Sequence, residues 1–151
     1  MKNSDIADIN VYDNNNQLAL AVKIQKKLNI SELWAEAYYK TLVELGDLPQ
    51  APFFLLGSPD RFYLWMQDRK LHKTMKPTYS IDPTPFLKPH YNRFSSSISK
   101  ESLILVVDNW LDRLVHLGIT SDLSSEEEAW LVGSGLLDAI AGGRSAIKLA
   151  A

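Results

Sequence analysis

The sequence contains no cysteine, and this absence excludes disulfide bonds and thiolate metal sites. It also lacks a long hydrophobic run, because no apolar stretch approaches the roughly 18 residues that a membrane-spanning helix needs. The first ten residues, MKNSDIADIN, are polar and lack the hydrophobic segment of a secretory signal. No glycine-rich phosphate loop occurs, and the three histidines lie in separate segments without metal-ligand spacing. We therefore expect a cytoplasmic protein without membrane contact.

The composition that remains is that of a globular protein. The chain has 151 residues, 46% of them hydrophobic and 23% charged, and this length suits one domain with a core. The formal net charge is only -2, but residues 61–93 contain seven lysines or arginines against two acids, and residues 101–138 contain eight acids against one arginine. This distribution indicates two solvated faces, a basic strip that contacts nucleic acid, or opposite faces that pair between subunits.

Alternating apolar and polar residues predict two β-hairpins separated by a helix. Residues 7–25 form the first predicted hairpin around the turn NNNQ, and FFLLGS with RFYLWMQD forms the second. Between them, NISELWAEAYYKTLVELG predicts a helix that Asn29 or Ser31 caps and Gly46 ends. Helical spacing predicts that its buried stripe consists of Leu33, Trp34, Ala37, Tyr38, Thr41, Leu42 and Leu45.

The second half of the chain is less regular. Residues 69–98 contain four of the seven prolines and no sustained periodicity, so we expect an extended arm on a surface of this chain or of a partner. Residues 99–151 predict two helices, and the stretch RSAIKLA could add a last short strand. The predicted organisation is one domain over residues 1–151, with an α/β core at 1–68, the arm at 69–98 and the C-terminal helices at 99–151.

The stretch LALAVKIQKKLN, residues 18–29, places polar side chains on a strand that should be half-buried. If the first hairpin pairs Asp8 with Lys23, then Asp8, Lys23 and Gln25 lie on one face of the sheet. An acid at position 23 and a lysine at position 25 would complete a divalent-metal site with Asp8, and the small Ala19 and Ala21 would leave that site open. The residues actually present also fit the solvent face of an ordinary edge strand.

This arrangement resembles the PD-(D/E)xK nuclease superfamily, whose members share the restriction-endonuclease-like fold. The chain looks most like a family of small bacterial proteins in that superfamily that are described as uncharacterised or as restriction endonucleases. The resemblance covers most of the chain through ADINVYDNNNQLALAVKIQKKLNISELWAEAYYKTL, LPQAPFFLLGSPDRFYLWMQD, KPTYSIDPTPFLKP and GLLDAIAGGR. It implies an α/β fold, namely a truncated restriction-endonuclease-like core of β-hairpin, helix and β-hairpin with a C-terminal helical extension.

Carried over residue by residue, the resemblance implies a degenerate active site. The motif aspartate falls on Asp8, with Ala7 in place of the preceding proline. The second acid falls on Lys23 and the motif lysine on Gln25, and a divalent cation is poorly stabilised between a carboxylate and an ammonium group. The superfamily also places a helix and a strand ahead of the motif aspartate. Only seven residues precede Asp8, so this front portion is expected to be missing.

Three functions follow from these observations. The first is a catalytically degenerate nuclease-like protein that acts as a binding or structural subunit and needs no cofactor. The second is a Mg²⁺-dependent endonuclease that uses Asp8 with an acid that has migrated to Glu32 or Glu36. The third is a homo-oligomeric scaffold without a nucleic-acid role. A weak nucleic-acid contact would use the basic residues Arg61, Arg69, Lys70, Lys73 and Lys76.

The chain is expected to form a homo-oligomer, most simply a two-fold dimer. If the front portion is missing, the first hairpin should present an edge and an apolar face to a partner, through Ile9, Val11, Leu20 and Val22. The arm and the C-terminal RSAIKLA could reach that partner. If the chain instead covers its own hairpin, Trp110 and Trp130 of the C-terminal helices should supply the cover.

Overall fold

The structure is a computed structural model that describes residues 6–67, 75–87, 98–117 and 125–148. Its strands are β1 (Ile9–Tyr12), β2 (Leu18–Ile24), β3 (Phe53–Gly57), β4 (Phe62–Met66), β5 (Tyr79–Ile81) and β6 (Arg144–Ile147). Its helices are α1 (Glu32–Leu45), α2 (Thr84–Leu87), α3 (Lys100–Leu117), α4 (Ser125–Ser134) and α5 (Leu136–Ile140). The predicted α/β class is confirmed. Among the described helices, none combines the length and the apolar composition that a membrane crossing requires.

The described strands form one mixed sheet in the order β5-β4-β3-β2-β1-β6. β2 and β3 are parallel and α1 connects them, whereas every other neighbouring pair is antiparallel. The carboxyl ends of β2 and β3 therefore lie at the same end of the sheet as the start of β1 and the end of β6. Ligand sites of open α/β sheets often lie at this end of the parallel strands.

Helices cover both faces of the sheet. Leu20, Val22 and Ile24 of β2 join one core cluster with α3, α4 and α5, whereas Ala21 joins a second cluster with α1. The two clusters lie on opposite faces because successive side chains of a strand alternate between faces. The nearly all-apolar β3 has every residue buried, as expected for a strand that is covered on both sides.

The expectation that the first hairpin offers an edge and an apolar face to a partner is wrong. Ile9, Val11, Leu20 and Val22 are fully buried within this chain. They belong to the core cluster that contains Trp110 and Trp130, whose rings stack at a centroid distance of 5.9 Å. The outer edge of β1 pairs with β6, from Ile9 opposite Ile147 to Tyr12 opposite Arg144. The C-terminal part of the chain thus supplies both the cover and the edge strand.

The predicted buried stripe of α1 is rotated from the observed one. The buried residues are Ala35, Tyr39 and Leu42, whereas Leu33 is 78% and Leu45 is 67% exposed. Tyr39 fixes the orientation because its ring stacks on Trp65 of β4 at 4.5 Å, and its hydroxyl donates to Gln67 Oε1 at 2.8 Å. The predicted ends are confirmed: the Ser31 hydroxyl accepts from the Trp34 N–H, and Gly46 ends the helix in the left-handed region.

A β-bulge alters the predicted alternation at the start of β2. Val11 pairs with Leu20 and Tyr12 pairs with Leu18, so Ala19 is an extra residue in the ladder. Ala19 consequently packs in the α3 cluster, and Leu18 packs against the α1 cluster. Ala19 and Ala21 are both buried, which corrects the expectation that they leave open space before the site.

The described part of the predicted arm contains a strand and a short helix. Within residues 75–87, β5 pairs with β4 as the edge strand of the sheet, and α2 follows it. Ile81 and Leu87 join the core cluster, so this part of the segment belongs to the fold of this chain and is not an arm that lies on a surface. The remaining parts of the predicted arm, residues 69–74 and 88–97, lie outside the described residues.

Candidate functional site: a carboxylate between two lysines

Asp8 lies at the carboxyl end of the parallel strands, directly before β1. Its backbone is held on both sides: its N–H donates to the Val22 carbonyl at 2.7 Å, and its carbonyl accepts from the Lys148 N–H at 2.9 Å. The residue is thus fixed between β2 and the segment that follows β6. This rigid placement determines which side chains can reach the carboxylate.

Three donors approach the Asp8 carboxylate. Its Oδ2 atom accepts a hydrogen bond from the Ile24 N–H at 2.8 Å, which continues the β1–β2 ladder through a side chain. Lys23 Nζ lies 3.7 Å from Oδ2, and Lys100 Nζ lies 3.7 Å from Oδ1. The side chains of Asp8 and Lys23 are only 17% and 19% exposed, whereas that of Lys100 is 39% exposed. The cluster ties β1 and β2 to the first residue of α3.

The cluster holds one positive charge in excess, because two ammonium groups share one carboxylate. The pKa of Lys23 lies below its ordinary value of 10.5, chiefly because partial burial disfavours the charged amine. Lys100 lowers this pKa further, while Asp8 acts in the opposite direction. The attraction to Asp8 thus only partly offsets the burial of Lys23.

Gln25 and Tyr38 form the side of the site next to α1. The Gln25 N–H donates to the Gly57 carbonyl at 2.8 Å, which joins the end of β2 to β3. Burial raises the pKa of the Tyr38 phenol, a hydrogen bond with Gln25 opposes this rise, and the Asp8 charge adds to it. Tyr38 also stacks on Trp34 at a centroid distance of 5.4 Å. Asp8, Lys23 and Gln25 therefore occupy one region, and Lys23 contacts Asp8 as the hairpin register predicted.

Glu32 and Glu36 lie on α1, in its first two turns. Glu32 is exposed; burial chiefly raises the pKa of Tyr63 on β4, and the Glu32 charge adds to this rise. Glu36 is partly buried. Neither belongs to the cluster of charges on Asp8. Across the described ranges, no group of three or more His, Cys, Asp or Glu residues is arranged to hold a metal ion.

The chemistry of the donor set around Asp8 does not fit Mg²⁺. This cation needs near-octahedral oxygen coordination, usually with one or two carboxylates and several waters. Here the single carboxylate already accepts from a backbone N–H, and an ammonium group lies next to each of its oxygens. A cation bound to Asp8 would have to displace Lys23 and Lys100 and tolerate their charges nearby.

Lys100 is the site residue that sequence reasoning missed. It begins α3, just after Ser99, whose hydroxyl accepts from the Ser102 N–H at 3.0 Å and caps the helix. Local patterns predicted a helix in this part of the chain, but they carry no signal for a contact with a residue as distant in sequence as Asp8. Only the packing of α3 across β1 and β6 brings this lysine to Asp8.

The predicted nucleic-acid strip is described only at two of its five positions. Arg61 lies in the β3–β4 turn, where its N–H donates to the Ser58 hydroxyl at 3.1 Å, at the same end of the sheet as Asp8. Lys76 is exposed. Arg69, Lys70 and Lys73 lie outside the described residues. The role of the strip in nucleic-acid contact stays a prediction.

The arrangement can hold a hairpin and a helix together by ion pairs, and it places two ammonium groups beside one carboxylate at the end of the sheet. Both properties suit a structural or binding role for Asp8. Comparisons of the chain with protein-family models, with curated proteins and with solved structures gave no match.

Proposed function

We propose that this protein is a catalytically degenerate, nuclease-like protein that acts as a binding or structural subunit. The observation that carries the proposal is the double engagement of Asp8: Lys23 and Lys100 each place an ammonium group 3.7 Å from one of its carboxylate oxygens. In the resemblance to PD-(D/E)xK nucleases, Asp8 is the metal-binding acid and position 23 holds its acidic partner. Here that position supplies a counter-ion instead.

The order of the elements also supports the proposal. Asp8 and Lys23 lie on a hairpin that is followed by α1 and by β3 parallel to β2. The resemblance implies a helix and a strand ahead of Asp8, and the C-terminal part of the chain has comparable elements: β6 pairs with the outer edge of β1, and α3 packs against both. These C-terminal elements complete the sheet beyond β1 within this chain.

A cleavage assay tests the catalytic part of the proposal. Purified protein is incubated with plasmid DNA, single-stranded DNA and RNA in the presence of Mg²⁺ or Mn²⁺. We expect no metal-dependent cleavage, because Lys23 and Gln25 replace the second acid and the lysine that the reaction needs. Cleavage that requires the metal and that Asp8→Ala abolishes would overturn the proposal and support the endonuclease with a migrated acid.

Restoration of the motif gives a second test. Lys23→Glu combined with Gln25→Lys and Lys100→Met supplies the acid pair and removes both ammonium groups from Asp8. We expect calorimetry to detect Mn²⁺ binding in this variant and not in the unmodified protein. The control variant makes the same two residue changes at exposed positions away from Asp8, Lys40→Glu and Gln50→Lys. Mn²⁺ binding to this control should stay undetectable.

A salt titration tests the binding part of the proposal. If the basic strip contacts DNA, fluorescence anisotropy should detect weak affinity that falls steeply as the salt concentration rises. Charge reversal at Lys70, Lys73 and Lys76 should remove that affinity. Undetectable binding at low salt would restrict the proposal to a structural subunit.

A further inference from the structure

The outer side of α1 carries an apolar ridge with a spacing of four residues. Leu33, Ala37, Thr41 and Leu45 are all exposed. Leu33 at 78% and Leu45 at 67% are the most exposed large hydrophobic side chains in the described part of the chain. The Thr41 hydroxyl donates to the Ala37 carbonyl at 2.9 Å, so its only donor is satisfied within the helix. The ridge therefore offers mainly apolar surface.

The ridge is symmetric about position 39, with leucines at its two ends and small side chains in its middle. If a second α1 is related to the first by a two-fold axis at this position, Leu33 lies opposite Leu45 of the second copy and Ala37 lies opposite its Thr41. When two helices pack through rows of residues spaced four apart, their axes cross at about -50°. Small residues at the crossing point let the two helices approach closely.

The flanks of the ridge fit the same two-fold arrangement. An antiparallel pair places each flank beside the same flank of the second copy. On one flank, the stacked and half-buried rings of Trp34 and Tyr38 would extend the apolar contact. On the other flank, Lys40 would lie at a similar height to both Lys40 and Glu36 of the second copy, so the charges of this flank neither favour nor oppose the pair. Shape and polarity thus select the same partner.

We infer that α1 is a docking surface for α1 of a second copy of this chain, in an antiparallel two-fold pair. This inference is independent of the proposed function, and it uses a different surface from the first hairpin, which this chain covers itself. One helix pair buries less than the roughly 1,200 Å² of a standard interface. We therefore expect a weak dimer, with a dissociation constant on the order of tens of micromolar.

Sedimentation velocity at protein concentrations from about 5 to about 500 µM tests the inference, because this range spans the expected dissociation constant. The unmodified protein should change from monomer to dimer across this range. Leu33→Glu should stay monomeric, since it places a carboxylate in the apolar contact. The matched control is Leu105→Glu, which changes an exposed leucine on α3 (56%) and should dimerise normally. Circular dichroism checks that each variant is folded.

The absence of cysteine allows the orientation to be tested separately. Single variants Ala37→Cys and Thr41→Cys are oxidised alone and as an equimolar mixture. An antiparallel pair should form the mixed 37–41 disulfide faster than either variant links to itself. An unmodified protein that stays monomeric at the highest concentration, a dimer that persists in Leu33→Glu, or faster self-linking would each overturn the inference.

Discussion

Replacement of Asp8 separates a structural role of this residue from a catalytic one. Asp8→Ala leaves the Ile24 N–H without the side-chain acceptor that lies 2.8 Å away, and Ile24 is fully buried. An unsatisfied buried donor costs about 1–3 kcal/mol. The two lost ion pairs are partly exposed and add at most about 1 kcal/mol. We therefore expect the free energy of unfolding to fall by about 2–3 kcal/mol.

The assay is urea unfolding followed by tryptophan fluorescence, together with a thermal scan. For a chain of this size, the expected loss corresponds to a decrease in Tm of about 5–10 °C. Asp8→Asn is the matched variant: its amide oxygen can still accept from the Ile24 N–H, so it should cost only about 1 kcal/mol. Catalytic acids are often kept at the expense of stability. An Asp8→Ala variant as stable as the unmodified protein, or more stable, would therefore refute the structural role.

Three further predictions concern the site and the sheet. Lys23→Met should be more stable than the unmodified protein at pH 7, because burial lowers the pKa of Lys23 from 10.5 and thus disfavours its charged form in the folded state. Between the lowered pKa and pH 10.5 the unfolded chain binds more protons than the folded one, so the difference measured by urea unfolding should shrink as the pH approaches 10.5. Burial raises the pKa of Tyr39 from 10.0 to about 12, so the stability that the neutral phenol contributes is complete below pH 10 and is lost as the pH rises to 12. Tyr39→Phe should lower the free energy of unfolding by about 1 kcal/mol at pH 8, because the hydrogen bond to Gln67 is lost, and this free energy should then fall less steeply above pH 10 than in the unmodified protein. Gly143→Ala should destabilise the protein by about 3 kcal/mol in the same unfolding assay, because the added Cβ would meet the Tyr12 carbonyl oxygen and push β6 away from β1. Gly142→Ala is the control: it places an alanine at a positive φ without such a clash and should cost about 1 kcal/mol.

Local sequence patterns were sufficient to predict most helices and strands and the contact between Asp8 and Lys23, but not the contact with Lys100. Alternation predicted both hairpins, and the residue types at Ser31 and Gly46 predicted the ends of α1. The hairpin register alone placed Lys23 opposite Asp8, since side chains across an antiparallel pair share a face. These successes have one physical origin: each depends on residues that are close in sequence.

The errors concern contacts between residues far apart in sequence. The arrival of Lys100 at Asp8 and the pairing of β6 with β1 depend on how the second half of the chain packs on the first. The face of α1 was misassigned for a related reason. Its apolar residues surround most of the helix, and the contact between Tyr39 and Trp65, which chooses the face, joins α1 to a different strand.

The pairing of β6 with β1 has a consequence for biosynthesis. β1 leaves the ribosome before the other described strands and helices, and its outer edge pairs with β6, the last of them along the chain. Until then, the backbone groups of that edge have no strand to pair with, and the α3 face of the hairpin has no cover. A contact of such long sequence separation slows folding, and unpaired edges favour aggregation. Nascent chains that end before Arg144 should therefore be the forms that chaperones bind, and their release should coincide with the pairing of β6 with β1.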